Sequence, residues 1–361
     1  MTGWTDLAAA LADELTALGK LRSPQWQAAV RTVPRHELVP VHHTLDPHTG
    51  QWTAQRTTLA QAYSNNALFV LPGGLSSTSM PGLMTRMLES LDVHHGHRVL
   101  EIGAGTGYNA ALLCHRLGDD RVFAVDLEPE LIELARARLA AIGHHPTLVA
   151  ADGTNGLAEY APYDRIIATC SIPAVPWPWI EQTRDGGLIL VDVKPGRLAG
   201  NLVLLRRDGD RAQGRFDPVH GSFMAMRRPG DTYRSTASFP QRRADARQRA
   251  SWLDLTRPWE HTPFWFFTHF ALPPGTSFSL RADTDAGPTH QHRPRRTRRL
   301  LVRGPRDHDR RDPPGVGSRP ARPLAHHRRA PRLVACTRRS RLGPLRPHRH
   351  RRTPVGVARL A

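Results

Sequence analysis

Three carboxylates, Glu101, Asp126 and Asp152, stand at or within two residues of the end of short apolar runs, and glycines follow the first of them at 103, 105 and 107. A helical pattern, Asn109 to Leu117, comes directly after those glycines. Glycines so placed let the chain turn tightly and let a ligand approach the backbone closely beside the amino end of a helix. Arg121-Val-Phe-Ala-Val-Asp126 reads as a second buried strand ending in an acid. Strand, glycine loop, helix, strand and acid together have the form of the nucleoside-binding half of a Rossmann-like fold.

The order of residues bears on which nucleotide is held. A dinucleotide loop reads G-x-G-x-x-G and sets a pyrophosphate on the helix N-terminus. Here the pattern is E-x-G-x-G-x-G, through Glu101, Gly103, Gly105 and Gly107. A carboxylate at that place repels pyrophosphate and accepts hydrogen bonds from an ammonium group. Asp126, at the next strand end, is placed for two ribose hydroxyls, with Leu127 beside it. S-adenosyl-L-methionine fits this set; a nicotinamide-type cofactor and a purely structural loop are the alternatives. Asp152-Gly153 follows the third strand, where its carboxylate can take the adenine amino group or simply make a turn.

These residues need elements to position them. Residues 3–19 pattern as an amphipathic helix, and a second helix starts at Ser23-Pro24 and runs to Val33. Residues 41–61 read as polar and irregular, and Pro81 opens a helix through Leu91. Strands are expected at 98–102, 121–126, 147–150, 164–169, 187–193, 201–206 and 221–227, with helices at 107–117, 129–142 and 176–184. The fold class is α/β: a Rossmann-like, S-adenosylmethionine-dependent methyltransferase fold with a mixed seven-stranded sheet, a helical N-terminal cap and a partial C-terminal module. The expected domains are 1–92 (cap and substrate-side loop), 93–227 (methyltransferase core), 228–280 (an aromatic-rich accessory module) and 281–361 (a disordered tail).

The tail differs in kind from the rest. Residues 281–361 hold 23 Arg, no Lys, 5 Asp and no Glu, which is the whole formal charge of +18, so residues 1–280 sum to zero. The tail lacks Phe, Trp, Tyr, Ile and Met and so has little with which to build a core. It reads either as a basic arm for nucleic acid or as out-of-frame translation of GC-rich DNA, and the Arg, Pro, His mixture without Lys or aromatic residues favours the second. Its charge therefore says nothing of a substrate. The three cysteines are far apart, no apolar run approaches membrane-spanning length, and the acidic N-terminal stretch is unlike a targeting peptide. The expectation is a cytoplasmic chain with free thiols. His94-His95 and His144-His145 lack ligand spacing, so no metal site is expected.

Over about residues 20–227 the chain resembles the protein-L-isoaspartate (D-aspartate) O-methyltransferases. The resemblance rests on Ala62-Tyr63, the Leu75 to Pro81 segment, VLEIGAGTGY at 99–108, FAVDLEPEL at 123–131, Ala151-Asp-Gly153 with Gly156, Ala161-Pro-Tyr-Asp-Arg-Ile-Ile-Ala-Thr169 and the Gln182 to Leu190 stretch. It implies that Ser79 lies over the active site, and that Glu101, Gly103, Asp126, Asp152 and Gly153 surround the cofactor. Asn66, Thr78, Thr169, Cys170 and Ser171 fall on the substrate side. Ser79 is equally placed to cap the helix at 81–91, and the two roles are compatible. Departures from the family are Cys170-Ser-Ile-Pro173 where small alanine-rich residues are usual, Asn65-Asn66 where an acidic and basic pair is common, and the Trp-rich stretch from 228. With that stretch the chain looks like the branch associated with ATP-grasp peptide maturases, which implies methylation of an aspartate in a cyclised precursor peptide and closure to an aspartimide.

A substrate carboxyl with a reference pKa of about 4 is already ionised near neutrality, so no strong general base is required and no catalytic His is assigned. The expected partner is a peptide or protein containing Asp or isoAsp, in peptide maturation or, alternatively, in general isoaspartyl repair. A nucleic-acid methyltransferase would need an N/D-P-P-Y/F motif or a Pro-Cys nucleophile, and DRIIATCS at 164–171 offers neither. Nucleic acid and membrane are not expected partners, and no oligomeric state is implied. Replacing Asp126 with Ala is expected to weaken S-adenosylmethionine binding strongly in calorimetry. Unchanged affinity would remove Asp126 from the ribose.

Overall fold

Apolar residues at helical spacing start the chain: Ala8, Leu11, Ala12 and Leu15 are the buried stripe of α1 (Trp4–Ala17). The computed structural model describes residues 3–46, 48–195, 200–230, 277–282, 298–303, 334–337 and 359–360. Pro at the first turn opens α2 (Pro24–Thr32), and the short α3 (Arg35–Leu38) follows Pro34. The amide of Ser23, the residue before α2, donates to Glu89 Oε1 at 2.7 Å, so a distant carboxylate ties down that helix start.

The stretch 41–61, expected to be irregular, instead holds a hairpin. β1 (Val41–Leu45) pairs antiparallel with β2 (Trp52–Arg56), and α4 (Leu59–Ala62) follows. With β3 (Leu68–Phe69) and β4 (Ser77–Thr78) they form a small sheet in the order β2-β1-β3-β4. The polarity of these strands hid them, because β2 is exposed along almost its whole length. Next comes α5 (Pro81–Ser90), which buries Met84, Met87 and Leu88.

The parallel half of the main sheet is apolar on both faces, as strands covered by helices must be. It consists of β5 (Val99–Ile102), α6 (Tyr108–Leu117), β6 (Val122–Asp126), α7 (Pro129–Ala141), β7 (Thr147–Ala150) and β8 (Tyr163–Ile172). After α8 (Trp177–Gln182) come β9 (Thr183–Val193), parallel to β8, and then β10 (Asn201–Asp208) and β11 (Arg211–Phe216), each antiparallel to the strand before it. The order across these seven is β11-β10-β9-β8-β5-β6-β7. It reverses at β5, and the carboxyl ends of β5, β6 and β8 open a crevice there. Ile167 pairs with Leu190 but Ser171 with Asp192, so β8 carries two surplus residues over that interval. The bulge re-aims Thr169 and Cys170 at the crevice.

The seventh strand is therefore 211–216 and not 221–227. RAQGRF has only Ala212 and Phe216 to bury, and so it carried little signal. Residues 221–227 join the sheet's pairing through a single parallel bridge, Ser171 to Ala225. Within the basic tail, β13 (Arg298–Arg303) pairs antiparallel with β12 (Ser277–Ala282). β14 (Val334–Thr337) and β15 (Arg359–Leu360) extend the main sheet beyond β11. The rest of the tail, and most of the aromatic-rich 228–280 stretch, lie outside the described residues. Of the described residues, 3–194, 200–230, 334–337 and 359–360 belong to one compact unit, and 195, 277–282 and 298–303 to a second.

The pairing of β11 has a sharp consequence at Gly214, where an added Cβ would lie 1.8 Å from the Leu204 carbonyl oxygen. Gly214→Ala is expected to lower stability by about 1–3 kcal/mol, the usual cost of overpacking, seen as a lower urea midpoint. An unchanged midpoint would show that β11 does not pair with β10 in this register.

Candidate functional site

Gly103, Gly105 and Gly107 all have positive φ, at +96°, +53° and +84°, which is why a run of glycines stands there. Only two of them face the crevice. At Gly107 a Cβ would meet Leu139 Cδ1 at 3.0 Å, so this glycine lets α6 begin against α7 and does not line the cleft. Gly107 is expected from sequence among the cofactor-binding glycines; its place in the fold is against Leu139 and Ala135. The loop is held from both flanks. Gly105 N–H donates to Asp126 Oδ2 at 2.9 Å, and Thr169 Oγ1 donates to the Gly103 carbonyl at 2.6 Å. Thr169 therefore braces the cofactor loop from the β8 bulge, and Cys170 lies beside it with its thiol pushed up by burial.

A cleft open to solvent lies over this loop. Its floor is Ile102, Gly103, Gly105, Val125, Asp126, Leu127 and Gly153. Gly153 is required for space, since a Cβ there would come within 2.7 Å of Ile102 Cγ2. Asp152 itself accepts from Thr154 N–H at 2.9 Å and Thr154 Oγ1 at 2.7 Å, the turn that the sequence left open beside the adenine role. Behind that turn, Trp179 Nε1 donates to the Gly153 carbonyl at 2.8 Å, and Gln182 bridges Asn155 and Leu157.

The outer wall is Phe223 to Arg227, the stretch read from sequence as a strand. Ser171, buried on β8, donates from its amide to Met224 O at 2.7 Å and accepts from Met226 N at 2.8 Å. It fixes the wall and does not line the cleft. Arg227 pairs with Glu128, and Asp192 Oδ2 accepts from the Phe223 amide at 2.7 Å. Burial raises the Asp192 carboxyl to about 6, against the opposing pull of that amide and of Lys194. Phe223 packs into the hydrophobic core while these polar bonds fix the rest of the wall, which is why its apolar residues read as a strand.

A smaller hollow adjoins, lined by Ser77, Thr78, Ser79, Glu101, Tyr108, Asn109 and Thr169 among others. It shares Ser77, Gly103, Gly105 and Thr169 with the larger cleft. The residue capping α5 is Met80 and no side chain caps it, so Ser79 is not spent on that helix. Asn66 is exposed and lines neither cavity. Arg35 is a residue that sequence reasoning missed. Fully buried, its guanidinium lies 5.3 Å from the Tyr108 ring centroid and donates to the carbonyls of Ala62, Ser64, Asn66 and Ser79. One cation thus gathers the loop before β3 and the loop after β4 at the cavity's rim.

Glu101 is 1% exposed. Its Oε1 accepts from Asn109 Nδ2 at 2.9 Å, while Oε2 is buried with no partner. Burial foremost, and Asp126 to a smaller degree, raises its carboxyl to about 8, with Asn109 pulling the other way. A buried carboxylate oxygen left unpaired is costly, and a ligand ammonium supplies what it lacks. Asp126 and Leu127 at the β6 end, the Gly103–Gly105 backbone, and Gly153 offer a cradle for an adenosyl group. The residues present therefore fit S-adenosylmethionine.

A mixed sheet of this order, with its glycine loop after the first parallel strand and strand-end acids beside it, defines an S-adenosylmethionine-dependent methyltransferase of the Rossmann-like class. The family model for protein-L-isoaspartate(D-aspartate) O-methyltransferase matches residues 7–219, and the chain belongs to that family. It is 36% identical over 187 residues to a protein-L-isoaspartate O-methyltransferase of Methanopyrus kandleri, covering 51% of this chain and 75% of the relative. It is 35% identical over 225 residues to protein-L-isoaspartate O-methyltransferase 1 of Archaeoglobus fulgidus, covering 60% and 93%. A solved protein-L-isoaspartate O-methyltransferase superposes with a TM-score of 0.51 at 25% identity, over 60% of this chain and 65% of the other. These relatives carry the general isoaspartyl name; none is named for peptide maturation. Among the described residues no helix is long and apolar enough to cross a membrane.

The raised Glu101 pKa has a defined sign. Between about 4.5 and 8 the folded, ligand-free protein keeps a proton there that the unfolded chain gives up, so this group's contribution to stability falls as pH rises through that window. A bound ammonium favours the ionised form. S-adenosylmethionine binding at pH 7 is therefore expected to release close to one proton, measured as a buffer-dependent enthalpy, with affinity rising toward pH 8. Glu101→Gln should abolish the release and weaken binding. Equal enthalpies in buffers of different ionisation heat would contradict this placement.

Proposed function

We propose that the chain methylates the free α-carboxylate of isoaspartyl residues in peptides and proteins, with general isoaspartyl substrates ahead of a single maturation partner. The observation that carries this reading is the adjoining cavity. It places the Ser77–Ser79 segment against the same glycine loop that floors the cofactor cleft. The cofactor, when bound, supplies an electrophilic methyl group on a sulfonium centre.

In this reading Glu101 holds the ammonium, Asp126 the ribose hydroxyls, and Leu127 and Gly153 the sides of the adenine. The Gly103–Gly105 backbone sets the depth at which the methyl group stands, and Asp152 acts through the turn it caps. Ser79 donates its hydroxyl to the substrate carboxylate and aims one oxygen along the line of transfer. Thr78 and Thr169 line the same cavity, and Arg35 keeps Ser79 in place through its carbonyl. Because the substrate is already ionised, orientation and exclusion of water supply the acceleration. The ester then has a better leaving group than the carboxylate had. The following backbone nitrogen attacks the carbonyl, methanol departs, and a succinimide ring closes.

Methylation of one aspartate in a cyclised precursor is the narrower reading, motivated by the aromatic-rich stretch at 228–280. The consistent naming of the relatives supports the general one. The deciding experiment incubates the full chain with S-adenosylmethionine and three matched peptide sets: isoaspartyl, normal aspartyl, and cyclised aspartate-containing precursors. A mass gain of one methyl on unrelated isoaspartyl peptides is expected. A gain on the cyclised set alone, or its dehydrated ring product, would replace repair by maturation. Ser79→Ala is expected to lower kcat/KM about 10–100-fold, the worth of one hydrogen bond to a charged group, with cofactor affinity unchanged. Full activity in that variant would remove Ser79 from the carboxylate.

A further inference from the structure

Helix α6 has chemistry at both ends. Its amino end abuts the glycine loop; its last turn carries Cys114, and Gly118 then ends it with an N–H to the Cys114 carbonyl at 2.8 Å. The turn into β6 supplies Asp119, and the turn after α7 supplies His144, brought round by its amide bond to Leu139 O at 2.9 Å. The geometry points to a divalent-metal site, best matched to zinc, formed by Cys114 Sγ, a carboxylate oxygen of Asp119 and Nδ1 of His144.

Four observations carry the site. The three ligand atoms all lie within 4.8 Å of one another, and among the described residues this is the group of His, Cys, Asp and Glu close enough to hold an ion. A tetrahedral zinc with bonds of about 2.0–2.3 Å sets its ligand atoms about 3.5 Å apart, so small side-chain rotations suffice. Second, His144 Nδ1 stands 3.0 Å from Asp119 Oδ1, and the Cys114 thiol also bonds to Asp119. Two protons thus converge on one carboxylate in the space one dication would occupy. Third, the other Asp119 oxygen accepts the His145 amide at 2.6 Å, the kind of outer contact that orients a metal-binding carboxylate. Fourth, α6 and α7 both end here, and helix carboxyl ends favour positive charge.

The donor set of sulfur, imidazole nitrogen and carboxylate oxygen suits zinc over magnesium or calcium, which prefer oxygen alone. Burial and the Asp119 charge hold the Cys114 thiol protonated without metal, and coordination would displace that proton to solvent. Three protein ligands leave the fourth position to water. At about 1.5 Å per residue the seven residues from Gly107 to Cys114 set this site about 10 Å along α6 from the glycine loop, so its role is to pin the turns behind the sheet. Spacing could not reveal it, since positions 114, 119 and 144 form no ligand motif.

The test uses the full chain stripped with chelator and titrated with cobalt(II), then with zinc against a chromogenic chelator. One equivalent should bind, with a thiolate-to-cobalt charge-transfer band that Cys170→Ser leaves in place. Cys114→Ser should lose the band. His144→Asn should weaken zinc binding beyond the about 10–100-fold typical of an outer-shell partner. Both variants should keep S-adenosylmethionine binding, which reports their folding. No thiolate band in the wild-type chain, or a band that survives Cys114→Ser, would overturn the site and leave Asp119 as a hydrogen-bonded lock. Should either variant fail to fold, the wild-type spectrum and that of the Cys170→Ser, Cys336→Ser double variant, in which Cys114 is the remaining thiol, decide the question.

Discussion

The structure turns on one carboxylate placed where water cannot reach it. Glu101 sits inside a strand whose four residues are all buried, and its second oxygen has no partner. Such a group is tolerated because the surroundings fix it from one side and leave the other for a ligand. Asn109 supplies the first hydrogen bond from the opening turn of α6, which requires the glycine loop to return the chain tightly enough to bring that turn back over β5. The reversal of strand order at β5, the positive φ values of the loop and the apolar character of the strand all serve that placement.

Around it the protein uses a few polar anchors in place of extended packing. Asp126 and Thr169 hold the loop from neighbouring strands. Trp179 and Gln182, on a helix that contributes nothing to the cleft lining, hold the turn at Gly153. Arg35 does the same for the Ser79 rim, collecting four carbonyls from chain segments that would otherwise splay. Each anchor bonds to main chain, so the backbone of the site is specified even where side chains vary.

What was legible in the sequence follows from which forces leave a pattern. The parallel strands and the helices between them are apolar at regular spacing, and β5 to β9 and α5 to α8 all fall close to where periodicity puts them. Glu101, Gly103, Gly105, Asp126, Leu127 and Gly153 announce themselves by standing at strand ends. The hairpin at 41–56 and the strand at 211–216 were hidden because they bury few side chains. The wall at 223–227 looked like a strand because Phe223, Met224 and Met226 are apolar, yet they face a cleft and only one residue bridges to the sheet. Gly107 shows the converse limit. Its spacing belongs to the motif, while its space is taken by Leu139. Arg35 left no signal, since a lone arginine after a proline says nothing of four carbonyls distant in the chain.

The cleft's floor and wall are far apart in the order of synthesis. Residues 101–105 emerge early, whereas 223–227 follow the last residue of β11, Phe216. A nascent chain that has completed all seven core strands still lacks one side of its ligand site. Closure waits for Phe223 to reach Asp192, Met224 and Met226 to reach Ser171, and Arg227 to reach Glu128. During translation, then, the seven core strands are complete before the site is, and the ability to enclose a nucleoside arises only after them.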